Sequence, residues 1–206
     1  MDQPRVFVLD DDTSVVRAVE RLFRSAGLAV QAFTSPTSFL DHLPYDGPAC
    51  LVLDMRMPGL SGLDVQEAMA ALEATAMPTI FLSGASDVPS AATAMRKGAV
   101  DFLVKPVDDT ALLDAVTRAL ASAAETLRVR RDIEQRARRL ALLTRRERQV
   151  CDRVVRGMLN KQIAYDLGTS EKTVKVHRGR VMRKLEVDSV ASLVRLVSGV
   201  PKPPSD

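Results

Sequence analysis

Short apolar runs alternate with helix-length amphipathic stretches through the first half of the chain. Runs rich in Val, Leu, Ile and Phe predict strands at residues 5–9, 28–33, 49–53, 79–82 and 100–104. The stretches between them predict helices at residues 13–26, 36–42, 63–73 and 89–97. Repeated βα units predict an α/β fold with a doubly wound parallel sheet, whose functional crevice lies at the carboxyl ends of the strands.

The middle of the chain predicts a long helix. Residues 110–140 contain neither Pro nor Gly, and apolar residues recur from Leu113 to Leu127 at alternating spacings of three and four. This apolar stripe is interrupted at residues 128–131, where arginines are concentrated. We expect a helical linker over residues 123–140; the alternative is a shorter helix followed by a flexible tether.

The last third predicts four helices, two of them joined by a tight turn. Thr144 and Glu147 form a capping-box pattern that opens the first helix. Asn160 is predicted to cap the second helix, which ends at Gly168, and Ser170 is predicted to cap the third, only two residues later. Two helices joined by a short Gly turn are typical of a helix-turn-helix, whose second helix reads DNA.

The third of these helices separates into two faces on a helical wheel. Val174, Val181 and Leu185 point one way and are predicted to pack inward. The opposite face is mainly basic and is formed by Lys172, Lys175, Val176, Gly179 and Arg183, with Arg180 nearby. Lysine can reach guanine or phosphate and valine can contact a thymine methyl, so this face suits a major groove.

Composition restricts the class of protein. A chain of 206 residues with 46% apolar and 27% charged residues is typical of a globular protein with two domains. No apolar run approaches the roughly 20 residues that a membrane span requires, and the start lacks a signal-peptide pattern. Cys50 and Cys151 show no metal or disulfide spacing. We therefore expect a cytoplasmic protein with no membrane contact.

Charge divides the chain into two unlike halves. Residues 1–122 carry 9 Lys and Arg against 16 Asp and Glu, a net charge of −7. Residues 123–206 carry 20 against 10, a net charge of +10. Clustered basic residues favour nucleic acid as a partner of the second half, because phosphates attract them. A solvated basic helix surface without a partner is the alternative.

Polar side chains follow four of the five predicted strands. Asp10 and Asp11 follow the first strand, Asp54 the third, Ser83 the fourth and Lys105 the fifth. Their carboxylate oxygens suit Mg²⁺, while Lys105 and Ser83 suit the oxygens of a phosphoryl group that Asp54 accepts. Each residue could instead serve locally in a helix cap, a turn or an exposed loop.

The first half resembles the receiver domain of two-component response regulators over residues 4–122. The resemblance is carried by VLDDD, LVLDMRMPGLSG, IFLSGASD and GAVDFLVKP. It implies the strand order 2-1-3-4-5 and Asp54 as the phosphoacceptor. It also implies Mg²⁺ ligands from Asp10, Asp11, Asp54 and the backbone carbonyl of Arg56, with Lys105 binding phosphate. Ser83 and Phe102 are implied to be the switch residues, and the Lys105–Pro106 bond is implied to be cis.

The last third, residues 141–200, resembles the LuxR-type helix-turn-helix domain. LTRRERQV, GMLNKQIAYDLGTSEKTVKVHRGRVMRKL and VDSVASLVRL carry this resemblance. The whole chain therefore resembles the NarL/FixJ class, and within it the FixJ-like regulators of catabolic or redox operons. The implied DNA contacts are Lys172, Lys175, Val176, Arg178 and Arg183, with Gly179 where some members have a base-reading lysine. Leu193, Val194 and Val197 of the last helix are the expected dimer contact.

These resemblances imply a transcriptional activator rather than an enzyme. The only expected chemistry is Mg²⁺-dependent phosphorylation and dephosphorylation of Asp54. The expected partners are a histidine kinase, a double-stranded DNA operator, RNA polymerase and a second copy of the chain after phosphorylation. Two alternatives remain. The run from Asp10 to Ser14 approximates the nucleophile motif of haloacid-dehalogenase-type phosphatases, and the chain could be a constitutive DNA binder with a vestigial first domain.

Overall fold

The computed structural model describes residues 3–72, 77–84 and 88–198, without the side chains of residues 88 and 89. The predicted tail after Val200 and the predicted helix end at Glu73 lie outside these residues. The chain divides into two compact units between Arg128 and Val129. Within the described ranges, no helix has the length and apolar character that crossing a membrane requires.

The first unit contains a five-stranded parallel sheet in the order β2-β1-β3-β4-β5. Its strands are β1 (Arg5–Leu9), β2 (Ala29–Phe33), β3 (Ala49–Asp54), β4 (Thr79–Ser83) and β5 (Asp101–Val104). The predicted fold class and strand order are confirmed. Strands β3 and β4 each run one residue further than predicted, so Asp54 and Ser83 are the last residues of their strands.

Helices connect the strands and cover the sheet. They are α1 (Thr13–Ser25), α2 (Pro36–Leu40), α3 (Gly62–Ala71), α4 (Val88–Arg96) and α5 (Asp109–Ala141). Asp12 caps α1 by accepting a hydrogen bond from the Ser14 N–H at 2.8 Å. Helix α5 is a single element that contains all of residues 123–140.

Alternation along the strands produces a hydrophobic core on each face of the sheet. Val6 and Val8 of β1 face a core formed with α1 and α5, where Phe23 and Val116 are fully buried. Successive strand residues point to opposite faces, so their neighbours in β1 face the second core with α2, α3 and α4. Both faces are covered, which explains why every residue of β3 and β4 is buried.

The second unit packs short helices around its own core. After the end of α5 come α6 (Arg145–Val155), α7 (Asn160–Asp166), α8 (Glu171–Lys184) and α9 (Val190–Ser198). The predicted inward residues Val174, Val181 and Leu185 are buried, with exposures of 0%, 1% and 0%. Ser170 caps α8 as predicted, its hydroxyl accepting from the Thr173 N–H at 3.1 Å.

Two predictions about this unit are wrong. Asn160 is not the N-cap of α7, because the helix begins one residue earlier and Leu159 occupies that position. The Gln162 side chain accepts the Leu159 N–H at 2.8 Å, which replaces the expected asparagine cap. Leu193 was expected at a dimer contact but is only 1% exposed and belongs to the core of its own unit.

Gly62, the first residue of α3, lies unusually close to the end of β3. Its N–H donates to the Met55 carbonyl oxygen at 3.0 Å. A Cβ at this position would lie 2.5 Å from the Asp54 carbonyl oxygen and 2.9 Å from the Phe81 ring. Since both neighbours are part of the buried sheet, neither can move away without disturbing its packing. Glycine is therefore required here by close approach.

We expect Gly62→Ala to lower the free energy of unfolding of the first unit by about 1–3 kcal/mol, the usual cost of overpacking. The matched control is Gly179→Ala, because a Cβ there meets no atom within 4 Å. Alanine favours a helix interior over glycine by about 1 kcal/mol, so this control should be neutral or stabilising. Urea denaturation of both variants measures the difference. Equal effects would contradict the close-approach explanation.

Candidate functional site

The register of the parallel strands brings two aspartates side by side. Leu9 of β1 pairs with Leu53 of β3, so Asp10 and Asp54 follow on neighbouring strands at the same edge of the sheet. Both side chains are buried, with exposures of 2% and 7% for the two residues. Burying carboxylates is costly unless cations or hydrogen bonds compensate them, so their partners determine what the site can do.

Lys105 provides the shared partner of the two aspartates. Its ammonium group donates to Asp10 Oδ2 at 2.7 Å and to Asp54 Oδ1 at 2.5 Å. The remaining oxygens accept backbone N–H groups: Asp10 Oδ1 from Asp12 at 2.9 Å, and Asp54 Oδ2 from Arg56 at 2.7 Å. Two carboxylates are thus held by one ammonium group, and the trio carries a net negative charge.

The electrostatics of the trio follow from that imbalance. Burial raises the pKa of Asp54 above its ordinary value, and the charge of Asp10 adds to the increase, although Lys105 and the Arg56 N–H oppose it. Burial by itself would lower the pKa of Lys105, but its bonds to Asp10 and Asp54 outweigh burial and raise it. The lysine therefore stays charged, while Asp54 is a poorly solvated carboxylate.

The other predicted site residues lie around the trio at different depths. Ser83 is buried at the end of β4, and its carbonyl oxygen accepts the Lys105 N–H at 2.7 Å. Phe102 is half-buried in β5, opposite Phe81 of β4. Asp11 is exposed, and its carboxylate makes no ion pair or hydrogen bond to any described residue. The Lys105–Pro106 peptide bond is cis, as the receiver resemblance implied.

The donor set fits a hard divalent cation. Carboxylate and carbonyl oxygens are the ligands that Mg²⁺ prefers, and the excess negative charge of Asp10 and Asp54 over Lys105 favours a cation. Among the described residues, no three His, Cys, Asp or Glu side chains converge closely enough to form a metal cluster by themselves. The fit of a divalent cation therefore depends on the converging carboxylates of Asp10 and Asp54. Asp11 directly follows Asp10 in the sequence.

Helix α8 presents the predicted basic face to solvent. Its exposed residues include Lys172, Lys175, Val176, Gly179, Arg180 and Arg183. Val176 is 47% exposed although it is apolar. Arg178 differs from the others because it is half-buried and its Nη1 donates to Asn160 Oδ1 at 2.6 Å. His177 is half-buried, and its Nδ1 has no partner among the described residues.

Two family models match the chain, one in each unit. The model described as "Response regulator receiver domain" matches residues 6–117. The model described as "Bacterial regulatory proteins, luxR family" matches residues 141–197. FixJ of Azorhizobium caulinodans, a transcriptional regulatory protein, is 45% identical over 198 residues, which are 95% of this chain and 93% of that protein. The chain belongs to the NarL/FixJ family of response regulators.

Further similarities to NarL/FixJ-type proteins extend over most of the chain. The response regulator protein TodT of Pseudomonas putida is 43% identical over 191 residues, covering 93% of this chain and 84% of TodT. The solved structure of the response regulator StyR has a TM-score of 0.90 at 45% identity and covers 96% of this chain and 99% of that one. Full-length FixJ from B. japonicum has a TM-score of 0.59 at 36% identity, covering 97% and 98%.

This response regulator contains a second buried charge network, which sequence reasoning found only in part. The predicted capping box is present, with Glu147 Oε2 accepting from the Thr144 N–H at 2.9 Å. Lys184 of α8 also donates to Glu147 Oε2 at 2.7 Å and to the Leu142 carbonyl at 3.1 Å. The network therefore connects α8 to the start of α6. The 37-residue separation of Glu147 and Lys184 left no local sequence signal.

The Glu147 network predicts a pH-dependent stability of the second unit. The hydrogen bond from Lys184, with those from Thr144, lowers the pKa of Glu147 from 4.5 to about 2. Because the pKa of Glu147 is lower in the folded state, its ionised carboxylate stabilises the folded unit fully above the unfolded-state pKa of about 4.5. That stabilisation is lost as the pH falls from about 4.5 to about 2. We expect Glu147→Gln to cost about 1–3 kcal/mol near neutral pH, because the buried carboxylate loses its charge.

Urea denaturation of the second unit, followed by circular dichroism, measures this difference. The gap between wild type and Glu147→Gln should close as the pH approaches about 2. The control is Glu186→Gln, which removes an ion pair to Arg139 whose glutamate side chain is 71% exposed. That pair should contribute less than about 1 kcal/mol. A gap for Glu147→Gln that stays constant from neutral to acidic pH would contradict the assignment.

Proposed function

We propose that this response regulator controls transcription through phosphorylation of Asp54. The observation that carries the proposal is the trio at the edge of the sheet, in which Lys105 bonds to both Asp10 and Asp54. Asp54 combines a carboxylate nucleophile with a cation placed to bind phosphoryl oxygens. The phosphoryl donor is a phosphohistidine of a partner histidine kinase or a small acyl phosphate.

Phosphoryl transfer to Asp54 requires no reactant other than the phosphoryl donor. An Asp54 carboxylate oxygen forms the new bond to phosphorus, the bond from phosphorus to the donor nitrogen or oxygen breaks, and its electron pair leaves with the donor. Lys105 stabilises the charge on the transferred group. When bound by Asp10, Asp11, Asp54 and the Arg56 carbonyl, Mg²⁺ would neutralise charge on the phosphoryl oxygens. The chain needs no other enzymatic activity in this proposal.

Ser83 and Phe102 are the proposed switch residues. Ser83 is buried at the end of β4, the strand beside β3, and its hydroxyl donates to the Gly84 carbonyl oxygen at 3.3 Å. Its position near Asp54 supports the proposal that the hydroxyl turns to donate to a phosphoryl oxygen. Phe102 is half-buried in β5 and packs against the same core as Phe81. Their movement toward the added charge would bias the receiver toward a form that dimerises.

The proposed target of the second unit is double-stranded DNA. Lys175, Val176 and Gly179 lie on the exposed face of α8 and are proposed to enter the major groove, while Lys172 and Arg183 contact phosphates. Gly179 has no side chain with which to contact a base. Arg178 was predicted as a further phosphate contact, but it is half-buried and hydrogen-bonded to Asn160. It is therefore not among the proposed DNA contacts.

A dimer would place two α8 helices on half-sites about one helical turn apart. Binding of this kind would position the regulator beside RNA polymerase and activate transcription. By the resemblance to FixJ-like regulators of catabolic or redox operons, we propose such genes as the targets. We also propose that the protein acts in the cytoplasm, where chromosomal DNA lies. Leu193 is not available for the dimer contact that was expected of α9, because it is buried in its own unit.

We expect Asp54→Asn to abolish labelling by radioactive acetyl phosphate in the presence of Mg²⁺, because the amide cannot form the acyl phosphate. The matched control is Asp12→Asn, which makes the same charge change at an exposed position. Asparagine also caps helices well, so α1 should be undisturbed and labelling retained. Labelling of Asp54→Asn that requires Asp10 would instead favour the phosphatase-type alternative.

We expect Lys175→Glu to remove operator binding, because it replaces a proposed groove contact by a repulsive charge. Gel-shift titration measures the affinity with and without acetyl phosphate. Arg138→Glu makes the same charge change at an exposed residue of α5 and should leave most of the affinity. Unchanged binding by Lys175→Glu would refute the assignment of α8. Equal wild-type affinity with and without acetyl phosphate would favour the constitutive DNA binder.

A further inference from the structure

One side-chain hydrogen bond joins the two helices of the helix-turn-helix. Arg178 Nη1 of α8 donates to Asn160 Oδ1 of α7 at 2.6 Å, across 18 residues of sequence. Both residues are half-buried. A charge-assisted bond in a partly desolvated position is stronger than a neutral one on the surface. The bond therefore restrains α7 and α8 where they cross.

Asn160 has no local role that would account for its side chain. The N-cap position of α7 belongs to Leu159, whose N–H is accepted by Gln162. Asparagine in the first turn of a helix is a poorer helix former than alanine or lysine. Its side-chain oxygen accepts the hydrogen bond from Arg178, 18 residues away. The structure thus gives Asn160 a tertiary contact in place of the expected cap.

Arg178 lies at the boundary between the buried face and the basic face of α8. At about 100° per residue, Arg178 is about 40° from Val174 and about 60° from Val181, both of which are buried. It is about 60° from Lys175 and about 120° from Lys172, both of which are exposed. Its half-buried position agrees with this placement. The side chain therefore runs along the α7–α8 contact instead of projecting with the groove-facing residues.

We propose that Arg178 is a strut between α7 and α8 and that Asn160 is the positioning residue that fixes it. The pair acts on DNA recognition through the orientation of α8, without contributing a phosphate contact of its own. This role replaces the phosphate contact that the LuxR-type resemblance implied for Arg178. Its effect on DNA binding rests on the function proposed above.

Thermal unfolding of the full chain tests the strut without DNA. Asn160→Ala and Arg178→Met should each lower the melting temperature of the second unit by about 2–8 °C. Because each change removes the same bond, the double variant should be scarcely less stable than either single one. Asn160→Asp keeps an acceptor for Arg178 and should restore the melting temperature. Additive losses in the double variant would overturn the strut.

Salt-dependent binding to mixed-sequence duplex DNA tests the phosphate contact. Losing one phosphate contact lowers the slope of log affinity against log salt by about one. Lys172→Met, at a proposed phosphate contact, should show that decrease. Arg178→Met and Asn160→Ala should weaken binding about threefold to tenfold with an unchanged slope. A decrease of about one for Arg178→Met would overturn the proposal.

The two measurements separate failure of the strut from failure of the proposed function. If the wild-type chain shows no salt-dependent affinity for duplex DNA, the proposed DNA-binding function fails. The melting temperatures then still decide whether Asn160 and Arg178 act as one unit. If the wild type binds DNA and the double variant shows additive losses in both stability and affinity, the strut fails and the DNA-binding function stands.

Discussion

Two buried carboxylates that share one ammonium group constrain the receiver unit. The in-register pairing of β1 with β3 places Asp10 beside Asp54, and β5, which lies beyond β4 in the sheet, ends where Lys105 can reach both. A shift of one residue in the pairing of β1 with β3 would turn one of the two aspartates to the other face of the sheet. The apolar cores on both faces fix that register, so the hydrophobic pattern of the strands determines the geometry of the polar site.

That charge imbalance explains why the site suits a bound dication. One lysine cannot neutralise two carboxylates, and burial raises the pKa of Asp54 in spite of its ion pair with Lys105. A bound dication would remove this conflict, and it would also offset the negative charge that the proposed phosphoryl group adds beside Lys105. The packing behind the site is tight, because Gly62 leaves no room for a Cβ against the Asp54 carbonyl oxygen. Under the proposed phosphorylation of Asp54, the new charge would therefore have to be accommodated by movement of other neighbours, such as Ser83.

Local signals allowed most of the fold to be predicted from sequence. Apolar runs located every strand to within a residue or two, and the capping pattern of Thr144 with Glu147 located the start of α6. The parallel topology also predicted that Asp10, Asp54 and Lys105 meet at one edge of the sheet. Side-chain contacts between distant residues of the helical second unit could not be predicted in this way. Asn160 has the sequence position of an N-cap, yet its side chain accepts a hydrogen bond from Arg178, 18 residues later. Likewise α9 is apolar on more than one side, and only the packed unit shows that Leu193 faces inward.

The two units use buried carboxylates in opposite ways, and the direction of the pKa shift distinguishes them. Glu147 has a lysine of its own and two bonds from Thr144, so its pKa falls to about 2 and it stays ionised and inert at neutral pH. Asp54 shares its lysine with Asp10, and its pKa is raised. A fully compensated carboxylate stabilises the helices that it joins, as Glu147 does for α6 and α8. An under-compensated one, such as Asp54, retains the capacity to bind a cation, and this incomplete compensation supports its proposed role as the phosphoacceptor.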